Sequence, residues 1–314
     1  MITRREYLKL CSAAGVAVAL RPELLWASQG EQKVILREIP GKNEALPVVG
    51  LGSSASFSRL AGQGDTAAVR EVLEALVQHG GTVFDTAPSY GAAEEMAGNI
   101  ARDTDLNQKL FWATKVNVAG FGGGKADPAA ARAQIERSIE LLGKPKMDLI
   151  QVHNLGDVPT QLGLLKEYRD AGKLRYIGVT TTFPRQYEAL EAIMRAEPLD
   201  FIGVDYAIDH RFMEERIFPL AQDKGIGVLA YQPFGRTRLW QKVEGKSLPD
   251  WAAEYDIATW GQFFLKFVVS HPAVTAATPA TSRVRHVVDN MGAAMGKLPD
   301  EAGRRRMIQH IESL

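Results

Sequence analysis

The chain has one cysteine in 314 residues, Cys11. A single thiol excludes an intrachain disulfide and any cysteine cage around a metal. It has no excess charge of either sign, because 37 Lys and Arg balance 37 Asp and Glu. No basic run is long enough for an electrostatic footprint on a polyanion, so no nucleic-acid partner is expected. No apolar run reaches the roughly 18 residues that mark a membrane-crossing helix. The glycine fingerprint of a dinucleotide-binding βαβ unit is missing: Gly50-Leu51-Gly52 has the wrong spacing, and Gly122-Gly123-Gly124 stands in a loop well past a strand. No Ser or Cys sits beside a base as a nucleophile pair. No His/carboxylate cluster has ligand spacing, so no metal is expected.

The first thirty residues differ from the rest. Thr3-Arg4-Arg5-Glu6-Tyr7-Leu8-Lys9 resembles the twin-arginine export signal, Ser/Thr-Arg-Arg-x-Phe-Leu-Lys, with Tyr for Phe. The apolar stretch Leu10 to Leu20 that follows is too short to span a bilayer and suits a signal segment, with cleavage expected near Ala27-Ser28. The resemblance implies the twin-arginine export machinery as a partner and a periplasmic location. The alternative is a cytoplasmic protein with a basic N-terminal helix. Residues 1–30 are thus expected to be a signal segment and residues 31–314 one domain.

Beyond it the pattern becomes repetitive. Lys33 to Ile39 alternates, Gly41-Lys42-Asn43 makes a turn, and Ala45 to Val49 extends again, which is a hairpin signal. Eight short apolar runs follow, beginning at Val48, Thr82, Leu110, Met147, Leu174, Phe201, Ile226 and Val274. Amphipathic stretches lie between them. Thr66 to Gln78 carries Val69, Val72, Leu73 and Leu76 at helical spacing. Asp127-Pro128 supplies an N-cap and a first-turn proline, and Gly143 stops that helix. Leu162 to Tyr168, Gln186 to Met194, Met213 to Ala221 and Ile257 to Val269 behave alike. Strand alternating with helix implies parallel strands joined by right-handed crossovers. Eight units predict an α/β fold of the (β/α)8 TIM barrel type, with the N-terminal hairpin ahead of it. An open doubly wound sheet is the alternative.

In such a barrel the C-terminal strand ends build the active site. The second run ends at Asp85, the third at Ala113-Thr114-Lys115 and the fourth at Gln151-Val152-His153, while Tyr90 lies in the loop after Asp85. Each alone is ordinary: an acid that caps a helix, a solvated lysine, a structural histidine, a turn tyrosine. Together they are complementary. A phenol has a pKa of about 10, and a neighbouring ammonium favours its ionised form. Asp85 can hold Lys115, and His153 can donate to a substrate oxygen or relay a proton to Tyr90. The set moves protons but carries no hydride, so redox chemistry needs a cofactor.

Phe84-Asp85-Thr86-Ala87-Pro88-Ser89-Tyr90-Gly91, with Glu94, resembles the aldo-keto reductase signature FDTAxxYGxxE. Ala113-Thr114-Lys115 is similar to that family's strand-end lysine, and Leu149 to His153 to its histidine motif. The resemblance implies a hairpin closing the barrel floor, extended NADP(H), and Asp85, Tyr90, Lys115 and His153 as a tetrad with Tyr90 the general acid. Thr180-Thr181 replaces Ser-Asn at the carboxamide site, Gly203 stands where the family carries Gln, and Ala207 replaces Asn. Tyr231-Gln232-Pro233-Phe234-Gly235-Arg236 is similar to YSPLGxG, which implies that Tyr231 stacks on the nicotinamide. Thr281, Ser282 and Arg283, then Arg285, Asp289 and Asn290, resemble the adenosine-phosphate motif. Hydroxyls and arginines at a helix start suit a 2′-phosphate, favouring NADP over NAD.

Phe57, Phe121 and Trp240 follow strands and are expected to line an apolar substrate pocket. The function this reading supports is carbonyl–alcohol interconversion on an aldehyde, ketone or sugar. The alternatives are an NADPH-binding sensor subunit with little turnover, and an isomerase or lyase using the same rim.

Overall fold

The computed structural model describes residues 33–119 and 124–314. The signal-like segment, Cys11 and Phe121 lie outside the described residues. The chain divides into Met1–Lys33 and Val34–Leu314, and every element below belongs to the second unit.

A two-stranded antiparallel hairpin comes first, β1 (Leu36–Glu38) and β2 (Ala45–Pro47), with Arg37 opposite Leu46. Eight strands follow: β3 (Leu51–Gly52), β4 (Val83–Asp85), β5 (Phe111–Val116), β6 (Met147–Val152), β7 (Leu174–Thr181), β8 (Phe201–Asp205), β9 (Gly227–Tyr231) and β10 (Ala276–Ala277). All pair in parallel with their sequence neighbours in one sheet. The two ends of that sheet meet through parallel bridges Val49–Ala277 and Gly52–Ala280. The expected (β/α)8 barrel is therefore the fold.

Successive strand residues point to opposite faces, so alternate positions share the barrel interior. Val83, Phe111, Ala113, Leu149, Tyr176, Phe201, Leu229 and Ala276 form one inner cluster, capped by Ile39 and Leu46 from the hairpin. That is the plug at the barrel floor. Arg37 fastens the hairpin beneath β10 by donating to the carbonyls of His271 and Val274, both at 2.6 Å. The larger core lies outside the strands, under the helices.

Side-chain caps open two of the long helices, the second at the Asp127 that the sequence marks. The Asp65 side chain accepts from Ala68 N–H at the start of Thr66–Gln78. Asp127 accepts from Ala129 and Ala130 N–H at the start of Pro128–Leu142, and Gly143 ends that helix with φ 65°. Two long helices escape the periodicity. Ala93–Asp103 buries four small residues, Ala93, Ala97, Gly98 and Ala101, with Glu94 and Ile100; a Cβ on Gly98 would stand 1.9 Å from the Leu141 carbonyl oxygen of the neighbouring helix. Glu301–Ser313 buries Gly303 and Arg304 beside Met307 and Ile311, so its inner face reads as polar. No described helix is long and apolar enough to cross a membrane. No group of three or more His, Cys, Asp or Glu among the described residues could hold a metal ion.

Candidate active site

One layer above the inner core, the same inward positions turn polar. Continuing by twos from Val83, Ala113, Leu149, Tyr176, Phe201 and Leu229 gives Asp85, Lys115, Gln151, Gly178, Gly203 and Tyr231. His153 is the next inward step on β6, opening a short turn, His153–Leu155. Of these, Asp85, Lys115, His153 and Tyr231 reach a cavity of about 500 Å³ at the C-terminal end of the barrel. Asp85, Tyr90, Lys115 and His153 all line it, with Gly52, Ser54, Ala55, Asn154, Thr180, Thr182, Tyr231 to Phe234, Arg236 and Thr278 to Ala280 among the rest of the wall.

Lys115 is fully enclosed. It donates to Asp85 Oδ1 at 2.8 Å and to the Thr86 carbonyl at 2.7 Å. Its Nζ also stands 5.4 Å from the ring centroids of both Tyr90 and Tyr231, within cation–π range. Burial works against the ammonium, but the charge of Asp85, then that of Tyr90, and the direct bond to Asp85 outweigh it, so its pKa rises. Burial pushes the Asp85 carboxyl up, opposed by Lys115 and by the Tyr231 hydroxyl. Thr114, one residue earlier on β5, faces the other way and donates to Glu94 at 2.5 Å; Ser138 donates to the second oxygen of Glu94 at 3.3 Å. This braces β5 from behind.

Tyr90 departs from the expectation. Lys115 does favour its ionised form, but burial is the larger effect and Asp85 adds to it, so the phenol's pKa is raised. Among the described residues its hydroxyl makes no hydrogen bond. His153 meets the Tyr90 ring edge-on, centroids 6.0 Å apart at 83°. Burial and then Lys115 push the imidazole down to about 3, so it is uncharged near neutral pH. Among the described residues its buried Nδ1 has no hydrogen-bond partner.

The other sequence-chosen residues separate into two groups. Thr180, Tyr231, Gln232, Pro233, Phe234 and Arg236 line the cavity. Thr181 does not: it takes the outward step on β7, and its hydroxyl donates to Gln186 Oε1 at 2.5 Å and accepts from Phe183 N–H. Gly235, at φ 57°, shapes the turn and lies against Asp209 and Arg238. Thr281 accepts from Arg283 N–H at 3.2 Å in the turn that leads into Val284–Gly292. The Asp289 carboxylate is engaged by Thr259 Oγ1, 2.9 Å from both oxygens, and by Gln262 Nε2 at 3.0 Å, and Asn290 is buried. Ser282, Arg283, Asp289 and Asn290 stand beyond the cavity wall.

Two substrate-pocket expectations are corrected. Phe57 is fully buried and packs edge-on against Phe84 at 5.3 Å, because the backbone turns at Ala55 and sends the aromatic ring under the barrel wall. Trp240 is 41% exposed, lies tilted against Phe234 and edge-on to Phe264, and does not line the cavity. Ser54, Asn154 and Thr182 line the cavity instead. Four non-glycine residues of its wall have positive φ: Ala55 (52°), Asn154 (54°), Gln232 (54°) and Arg236 (61°). Such backbone is costly and concentrates at functional sites.

Residues 48–305 match the Aldo/keto reductase family. The chain belongs to this family. It is 24% identical over 274 residues to aldo-keto reductase str7 of Strobilurus tenacellus, covering 77% of this chain and 81% of that one. The holo form of aldo-keto reductase AKR11C1 of Bacillus halodurans superposes with a TM-score of 0.70 at 21% identity, over 89% of this chain and 96% of that one. An aldo/keto reductase of Klebsiella pneumoniae, solved with NADP and acetate, superposes with a TM-score of 0.69 at 26% identity, over 89% and 95%. Gln151, inside the Leu149–His153 motif, faces inward by strand alternation, and its Oε1 lies 3.1 Å from the Tyr231 hydroxyl.

Proposed function

We propose that this aldo/keto reductase is an NADP(H)-dependent oxidoreductase that interconverts a carbonyl, in an aldehyde, ketone or sugar, with its alcohol, using Tyr90 as general acid and base. One observation carries the reading. Three strands and one loop bring Asp85, Lys115, His153 and Tyr90 to a single cavity, where the phenol is protonated, its hydroxyl has no hydrogen-bond partner among the described residues, and a buried cation lies against its ring.

The cavity suits an elongated nucleotide. It extends from the tetrad past the strained turn Gln232–Arg236 to Thr278-Pro279-Ala280. That segment runs directly into Thr281-Ser282-Arg283 at the start of helix Val284–Gly292. Positive side chains at a helix N-terminus oppose the helix dipole, an arrangement that an anion relieves. Thr180, Gln232, Phe234 and Arg236 would hold the nicotinamide and diphosphate portions, and Thr281, Ser282 and Arg283 the adenosine phosphate. The likeness to the Klebsiella enzyme bound to NADP supports this assignment. When bound, the nicotinamide supplies or accepts the hydride.

The protein's own part is proton management. Burial keeps Tyr90 protonated and ready to donate to the carbonyl oxygen. As the proton leaves, the Lys115 ammonium stabilises the phenolate, and Asp85 fixes that ammonium in place. His153, uncharged, brings a neutral donor to the same oxygen without competing as a proton sink. In oxidation the sequence reverses. A panel of aldehydes, ketones and sugars with NADPH and NADH, run beside Tyr90→Phe, tests the reading; undiminished turnover in that variant refutes it.

We further propose export through the twin-arginine route to the periplasm, supported by Thr3–Lys9. That route carries folded proteins, so the cofactor would travel already bound. Cell fractionation followed by nucleotide analysis of the exported form decides this. A wholly cytoplasmic protein, or an exported one without nucleotide, overturns it.

A further inference from the structure

Tyr231 does more in this fold than line a wall. From the end of β9 its ring lies directly over Gly203 of β8: a Cβ at Gly203 would stand 2.4 Å from Tyr231 Cε2, 2.5 Å from its hydroxyl oxygen and 2.6 Å from Cζ. Real Cβ atoms do not come so close, so any side chain at 203 would expel the ring. With none there, the hydroxyl reaches the barrel axis. It donates to Asp85 Oδ2 at 3.0 Å and lies 3.1 Å from Gln151 Oε1. Lys115 holds the other carboxylate oxygen, Oδ1, at 2.8 Å. Each oxygen of Asp85 thus has its own donor, one from β5 and one from β9 across the barrel.

We infer that Tyr231 is a positioning residue of the reaction: its hydroxyl holds the Asp85 carboxylate in place for Lys115, and Gly203 is the residue that admits it. The inference rests on the reductase reading above. A buried carboxylate needs its oxygens satisfied to stay ionised. An ionised Asp85 in turn keeps Lys115 charged and fixed between the rings of Tyr90 and Tyr231. The charged and titratable groups around Asp85 are Lys115 from β5, Tyr90 from the loop after β4 and Tyr231 from β9; His153 and Glu94 act on or through Lys115. Removing the hydroxyl takes away a donor to the charged form, so Asp85 accepts a proton at higher pH. The acid limb of the activity profile then moves upward.

Tyr231→Phe keeps the ring and deletes only that donor. Two measurements follow it. Carbon-13 NMR of protein labelled at aspartate carboxyl carbons, with the Asp85 signal assigned through Asp85→Asn, reads the carboxyl directly. The pH dependence of kcat reads its consequence. The expected result is an Asp85 midpoint about one pH unit higher, the worth of one hydrogen bond to a charged group, an acid limb of kcat displaced the same way, and a KM for NADPH changed less than twofold. Gly203→Ala, which expels the ring, is expected to give the same upward midpoint. An unmoved Asp85 midpoint in Tyr231→Phe overturns the inference, as does a moved midpoint with an unmoved acid limb. A wild-type protein that reduces no carbonyl sinks the reductase reading instead, and the Asp85 titration then decides this inference alone.

Discussion

Lys115 addresses the ring of Tyr90 and not its hydroxyl. The ammonium stands 5.4 Å from the ring centroid while its hydrogen bonds go to Asp85 and to the Thr86 carbonyl. The cation therefore stabilises whatever charge develops on the phenol without occupying the oxygen that must meet the substrate. Proton donor and electrostatic support are separated in space.

Tyr90→Phe leaves the ring contacts of Lys115 and His153 in place and removes the proton. Carbonyl reduction is expected to fall by about 10²–10⁴-fold in kcat, the range for loss of a positioned acid. NADPH binding, followed by fluorescence titration, stays within about twofold, because every contact attributed to the nucleotide lies elsewhere.

Lys115→Met breaks a buried ion pair and strands Asp85. The expected cost is about 3–5 kcal/mol in urea unfolding. Adding Asp85→Asn recovers much of that stability, since the uncompensated charge is gone. Activity stays lost in both proteins. Recovery of activity together with stability would place the lysine in the scaffold alone.

His153 makes stability depend on acid. Its folded pKa is depressed from 6.5 to about 3, so folding excludes the protonated ring. The stability tied to the neutral ring is fully present above pH 6.5 and is lost as pH falls from there toward 3. His153→Asn is expected to lessen the slope of unfolding free energy across that window. His271, pushed down to about 4 chiefly by burial, contributes with the same sign, so part of the slope persists. Urea titrations at a series of pH values measure it.

Phe57→Ala tests a core position. A fully buried phenylalanine reduced to alanine costs about 3–5 kcal/mol, with KM for carbonyl substrates unaltered well below the unfolding temperature. A selective rise in KM without loss of stability would put Phe57 in the pocket. Trp240→Ala, at a half-open surface site, is expected to cost less than about 1 kcal/mol.

Much of this was legible because it repeats. The barrel follows from eight apolar runs separated by capped helices, and Asp85, Lys115 and His153 follow from asking what ends each run. Alternation within strands carries further information. It places Gln151 inward and Thr181 outward, which motif matching alone does not. The remainder depends on contacts between distant segments. Nothing local to Gly203 says that a ring 28 residues later will fill its place. Nothing in the Phe57 neighbourhood says that the turn at Ala55 will bury it. The burial that keeps Tyr90 protonated is likewise a property of the assembled barrel, and it reverses the expectation drawn from the lysine alone.

The barrel closes on its shortest strands. β3 and β10 have two residues each, and they are joined by Gly50 N–H to Ala277, Gly52 N–H to Pro279 and Ala277 N–H to Val48. This joint has two bridges, as few as the β3–β4 and β9–β10 pairings beside it, and the same backbone, Gly52 and Thr278 to Ala280, forms one wall of the cavity. A molecule lying along that wall touches both sides of the joint at once. It acts as a clasp as well as a reactant, so filling the site and fastening the cylinder become a single thermodynamic event.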